Sequence, residues 1–344
     1  MNGMQIIANI VAIPFTSVGL HGGMRGQKWL KERIEIFKNY TLKSLLNQEA
    51  KGFLTWFWFR PEERNNPLVK ELDEYLTNIN FAHIFTFHGL MYHDDKFTNF
   101  NLKTIIRNMA MMGWDCLRYK QWKSPIEILR HSFSNKNKTL LSRLDKALYE
   151  LRQRLPKGID WIYLTRIDSD DMFHKDVMKL IQGQLPQENR ALIFEKGFIL
   201  NKQTGQVADW TPTTCPPFWT IIFPFYMFFN PVYHLNYYKN YRSHESIPQI
   251  FDIVKLPDDN YLYLTHGKNI STYWYTNMYM VLSGHNQIGS HWNLNRLRTW
   301  WLMKKNPNLD PNIKRGIHPF IGRLYEGKEK EEILSKFGLK NETT

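Results

Sequence analysis

Residues 158–173 read GIDWIYLTRIDSDDMF, an apolar run closed by three carboxylates within four positions. DWIYLT, 160 to 165, has almost no polar interruption. That predicts a strand buried on both faces, as in the middle of a sheet with parallel neighbours. Asp168, Asp170 and Asp171 then fall at its carboxyl end, where open α/β sheets bind ligands. Asp168 and Asp170, two positions apart on a turning backbone, both reach one ligand. A hard cation such as Mn2+ or Mg2+ keeps positions for phosphate oxygens, so one or two carboxylates are a sufficient protein share. Asp171 either reaches the same ion or fixes the turn by accepting backbone N–H groups. The alternative is a solvated acidic turn.

Strands and helices alternate on the amino-terminal side of this stretch, the pattern of an α/β sheet. Residues 4–14 (MQIIANIVAIP) predict a first strand, followed by the glycine-rich GLHGGMRGQ, which matches no P-loop or GxGxxG pattern. Trp29 to Gln48 predicts a helix with Leu30, Ile34, Phe37 and Leu45 inward and Glu32, Arg33, Glu35 and Lys38 on the other face. FLTWFWF (53–59) and FAHIFTF (81–87) predict the next strands, with helices over 68–79, 101–112 and 139–155. On the carboxyl side come a short helix over 174–182, one strand over ALIFEKGFIL, and a hairpin returning through QVADW. NLNRLRTWWLMKK and EKEEILSKFGLK predict two amphipathic helices outside the sheet.

Composition bounds the function classes. With 344 residues, 43% of them hydrophobic, the chain can bury a large core. Its two cysteines, Cys116 and Cys215, form neither a disulfide framework nor a zinc spacing, so a reduced, cytoplasmic setting is expected. The start, MNGMQIIANIVAIPF, lacks the basic region of a signal peptide. The longest apolar stretch, PPFWTIIFPFYMFF (216–229), is broken by Pro224 and falls short of the about 18 to 20 residues of a spanning helix. It reads as a loop on the core, a hydrophobic acceptor groove or an interfacial segment. RTWWLMKK likewise has the mix of aromatic and basic residues found at membrane surfaces, which admits peripheral attachment at the inner face of a membrane and equally docking on the catalytic domain. The net charge of +13 favours anionic partners, whether nucleotide diphosphates, lipid headgroups or nucleic acid.

Three ordered segments resemble one family. RIDSDD after its strand is similar to the metal-binding signature of GT-A fold glycosyltransferases, family 2-like. WLKERIEIFKNYTLKSLLNQEAKGFLTWFWF (29–59) and YLYLTHGKNIS (261–271) resemble segments of the rhamnosyltransferase family. The resemblance implies an α/β fold with a mixed sheet flanked by helices. It also implies a catalytic domain over 1–292, with a donor half to about 185 and an acceptor half over 186–292, and a helical extension over 293–344. Its implied activity is inverting sugar transfer from a nucleotide-sugar donor to an acceptor hydroxyl, on a glycan or lipid-linked glycan of the cell surface. Carried over by residue, Asp170 binds the metal, Asp168 shares it or faces the ribose, and His266 completes the metal or diphosphate site. Arg166 binds donor or braces the acidic turn; Asn269 and Ser271 match as well, Asn269 as a donor-binding residue or both as turn residues. Two features depart from the pattern. The second strand ends WFRPEE, with Arg60 before Glu62 and Glu63, where many members have an acidic residue that reads the nucleobase. AIPFTSVGLHGG also lacks the family's early arginine.

Inverting transfer further needs a base for the acceptor hydroxyl. Asp209 in QVADW and Glu245 in YRSHES are the candidates, with Glu195 and His244 behind them. The same motifs leave two rivals: transfer of sugar to modified bases of DNA, and a sugar- or nucleic-acid-binding protein without catalysis.

Overall fold

The apolar run FLTWFW folds as a strand with both faces covered: Thr55, Trp56, Phe57 and Trp58 are all buried. In this computed structural model, which describes residues 5–16, 26–88, 137–212, 215–230, 247–266 and 321–339, that strand is β2 (Phe53–Trp58). It lies in a seven-stranded sheet with β1 (Ile7–Pro14), β3 (His83–Thr86), β4 (Trp161–Arg166), β6 (Arg190–Ile193), β9 (Trp219–Pro224) and β10 (Asp252–Lys255). The order is β10-β6-β9-β4-β1-β2-β3. β1 pairs in parallel with β2 on one side and β4 on the other. The chain therefore builds outward through β2 and β3, then crosses back to place β4 on the opposite flank of β1. The reversal makes the carboxyl ends of β1 and β4 a topological switch point, the position where such sheets leave a crevice.

A second sheet holds β5 (Met172–Phe173), β7 (Gly197–Asn201), β8 (Val207–Trp210), β11 (Tyr261–Thr265) and β12 (Ile321–Tyr325), in the order β12-β8-β7-β11-β5. The acidic turn is one of the chain's crossings between the sheets, leaving β4 in the first and entering β5 in the second. Helices cover the sheets. α1 (Gly26–Asn39), α2 (Thr41–Leu46) and α3 (Pro67–Asn78) pack Leu30, Ile34, Phe37, Leu45 and Leu72 into the core between one face of the first sheet and the second. The α3 start is set by Asn66, whose side chain accepts from the Leu68 N–H at 3.0 Å, with Pro67 in the first turn. On the opposite face, α4 (Asn137–Arg152), α6 (Phe225–Phe228) and α7 (Ile247–Ile250) bury Leu144, Leu148, Leu151, Phe228 and Ile247. α5 (Val177–Gln182) follows β5.

Four expectations change. Trp29 to Gln48 is two helices, divided at Tyr40, whose ψ of −75° departs from the helical value. ALIFEKGFIL is two strands in different sheets, with Phe194–Lys196 as the crossing. WTIIFP is neither loop nor groove: it is β9, wholly buried and antiparallel to β4 and β6. At the carboxyl end, 321–325 is a strand paired to β8, and α8 (Gly327–Lys336) packs Ile333 against the second sheet, so the described part of 293–344 is built into the sheet layer. The rest of that extension and the helix expected over 101–112 lie outside the described residues. Among the described residues no helix is long and apolar enough to cross a membrane.

Candidate functional site

Ile167, fully buried, anchors the acidic turn, and its N–H bonds the carbonyl of Ala12 in β1 at 3.2 Å. The Asp171 N–H closes the turn on the Asp168 carbonyl at 3.2 Å. Asp171 points inward: Oδ1 accepts the Leu264 N–H of β11 at 3.0 Å, and the buried Oδ2 has no hydrogen-bond partner among the described residues. Burial, then the neighbouring charges of Asp170 and Asp168, push its carboxyl well above the usual carboxylate range. Asp171 is the brace of the turn, one of its two expected roles.

Asp170 is the centre of the site. Its Oδ2 lies 2.5 Å from Nη1 of Arg33 on α1 and 3.0 Å from Nε2 of His266, just past β11. Burial alone would raise this carboxyl, but the Arg33 guanidinium and the His266 bond hold it well below the ordinary range. The His266 imidazole is lowered by burial, against the pull of Asp170. Arg33 is raised: the attraction of Asp170 outweighs the effect of burial. Asp168 is the most open of the three aspartates and accepts from Nη2 of the buried Arg166 at 3.0 Å. Arg166 thus braces the turn.

The structure brings His266, distant in sequence, to Asp170 in the turn that also holds Arg166 and Asp168. It adds Arg33, which the helical pattern assigned to the solvent face and which is instead buried, 5.3 Å from the Trp29 ring centroid. α1 buries two adjoining stripes. Trp29, Leu30, Ile34 and Phe37 meet the main core, while Ile36 and the partly buried Tyr40 meet the cluster outside the second sheet. Arg33 begins the second stripe, three residues before Ile36 and seven before Tyr40. That spacing was the available sequence signal.

Asp209 lies elsewhere. It pairs with Phe198, which pairs with Leu262, four residues before His266 and so about 13 Å back along the strand. Its Oδ1 accepts from the Tyr325 hydroxyl at 2.6 Å, and burial with this bond raises that phenol to about 12. Asp209 is therefore not part of the cluster around Asp170. Glu195 forms a surface pair with Lys255 at 2.8 Å. Glu245, His244, Asn269 and Ser271 lie outside the described residues.

At the ends of β1 and β2, the buried Glu63 accepts from the Thr16 hydroxyl and, at 3.3 Å, from the Arg60 N–H. Nε of Arg60 donates to the Thr16 carbonyl at 3.2 Å. The WFRPEE departure therefore fastens two strand ends together through Glu63.

Among the described residues no three His, Cys, Asp or Glu side chains group as a self-sufficient metal cage. Asp170 and His266 are in contact, while Asp168 faces Arg166. No protein-family model matches the chain, and a search of curated proteins finds no match. Fold and site define an α/β protein with two mixed sheets flanked by helices, compatible with a Rossmann-like arrangement, and with an acidic turn at its switch point.

Proposed function

We propose that this chain is a metal-dependent glycosyltransferase of the GT-A class, moving a sugar from a nucleotide-sugar donor to an acceptor hydroxyl. The observation that supports this best is the contact of Asp170 with His266, which joins the ends of β4 and β11 beside the switch point, with Asp168 two positions before Asp170 in the same turn. Asp168, Asp170 and His266 would hold Mn2+ or Mg2+, which when bound supplies charge stabilisation to the leaving diphosphate. Arg33 and Arg166 add fixed positive charge at the same place, and burial of both guanidinium groups strengthens its effect on a developing phosphate charge. Asp171 keeps the turn in register by tying it to β11. A glycan or lipid-linked glycan is the acceptor class this reading carries.

The test is hydrolysis and transfer across a panel of nucleotide sugars, with and without Mn2+ or Mg2+. Turnover should require the cation, and Asp170→Ala should reduce it by about a hundredfold or more, the several kcal/mol expected of lost charge stabilisation. Equal cation-independent behaviour of wild type and variant would rule the reading out.

A further inference from the structure

Among the described residues, the large apolar side chains that remain exposed gather at one edge of the seven-stranded sheet, where its parallel strands begin and β9 ends. The acidic turn lies at the opposite edge. Tyr226, just past β9, is 70% exposed; Leu185, before β6, is 80% exposed; Tyr149, in the last turn of α4, is 64% exposed; and Ile6 is exposed before β1. Basic residues stand beside them: Arg152, Arg154 and Lys157, all exposed, lie between the last turn of α4 and β4. The patch is continuous. The Arg152 guanidinium lies 5.3 Å from the Phe225 ring centroid, next to Tyr226, and the Phe225 N–H donates to the Asp160 carbonyl at 2.9 Å. The Asp160 carboxylate is engaged in turn, because its Oδ2 accepts the Ile6 N–H at 2.9 Å.

We propose that this edge is a docking surface for an anionic lipid membrane, a property that does not rest on the glycosyltransferase reading. Tyrosine, with an apolar body and a polar tip, suits the boundary between water and hydrocarbon, and clustered basic residues suit anionic headgroups. Tyr226, Tyr149, Leu185 and Ile6 enter that boundary, while Arg152, Arg154 and Lys157 meet the headgroups. A second copy of the chain fits less well, since a symmetric contact brings the two basic segments near each other. The acidic turn, at the far end of the six-residue β4, is then held about 20 Å from the lipid.

Co-sedimentation of the full chain with vesicles of phosphatidylcholine alone, and of phosphatidylcholine mixed with phosphatidylserine, tests this. Binding should require phosphatidylserine and weaken as salt rises. A basic residue near an anionic surface is worth about fivefold in affinity, so Arg154→Gln with Lys157→Gln should weaken binding by about twentyfold. Tyr226→Ser with Leu185→Ser should weaken it by about tenfold or more. Lys70→Gln with Lys328→Gln removes as much charge from exposed positions outside this edge, and should change binding by less than about twofold. All six positions are exposed, so the variants should fold; if one edge pair does not, the other decides. Equal losses in the Arg154 and Lys70 pairs would assign the attraction to net charge and overturn the proposal. So would undiminished binding by the Tyr226 pair, binding to phosphatidylcholine alone as tight as to the mixture, or no binding to either. Self-association of the wild type that Tyr226→Ser abolishes would give the edge to a second copy instead.

Discussion

Asp171 shows how one residue can occupy an acidic motif without sharing its chemistry. With Asp170, Asp168 and Arg33 as its charged neighbours, burial is the largest influence on it, and the folded carboxyl keeps its proton above the usual range. An unfolded aspartate loses that proton near pH 4. Over the interval above this value the folded state binds more protons than the unfolded one, so the Asp171 contribution to stability falls as pH rises. Asp171→Asn removes that titration. Its stability relative to wild type should therefore increase between pH 4 and pH 8 in urea unfolding; a constant difference would count against a raised carboxyl. Asp171→Ala, by leaving the buried Leu264 N–H without its acceptor, should cost about 1 to 3 kcal/mol. The position of these aspartates was legible because strand, turn and carboxylates are contiguous. Arg33 was not: its partner lies on a distant strand end, and in a periodic pattern a charged residue counts as solvent-facing until its partner is known.

Single elements were readable to the extent that their burial is one-sided. α3 and α4 each expose one face, so apolar spacing located them within a few residues. β9 is covered on both faces, and a continuous apolar run has no alternation to separate a core strand from a surface groove. β12 was missed because an edge strand of five residues is specified by its neighbour β8 more than by its own sequence. The layer it starts ends at Phe337, fully buried after α8, with rings of His174 and Phe198 at 5.7 and 6.1 Å in edge-on contact. Phe337→Ala should cost about 3 to 5 kcal/mol in urea unfolding. Because its ring partners are His174 and Phe198 and not residues of the acidic turn, the folded variant should keep its Mn2+ and diphosphate affinities. A loss of affinity at unchanged stability would show that α8 supports the site directly.

The two sheets meet through the site itself: α1 brings Arg33, the β4–β5 crossing brings Asp168 and Asp170, and β11 brings His266. Every one of these buried charges has a partner within the chain, so the fold does not depend on a metal in the way a zinc-nucleated domain does. Chelator should leave the thermal unfolding midpoint unchanged. Ligands that bind only the folded state stabilise it by mass action, about 2.7 kcal/mol at a hundred times the dissociation constant. Mn2+ with the preferred nucleoside diphosphate should therefore raise the midpoint clearly more than the two added separately. Salt sharpens the test. The net charge of +13 attracts duplex DNA by counter-ion release, which weakens steeply with ionic strength. A diphosphate held at largely buried charges is screened much less. Stabilisation by Mn2+ and diphosphate that persists from 50 to 300 mM salt, while any duplex binding disappears, would favour a nucleotide-sugar site over a nucleic-acid surface. If duplex alone shifts the midpoint, and Mn2+ with diphosphate does not, the charge belongs to the rival function.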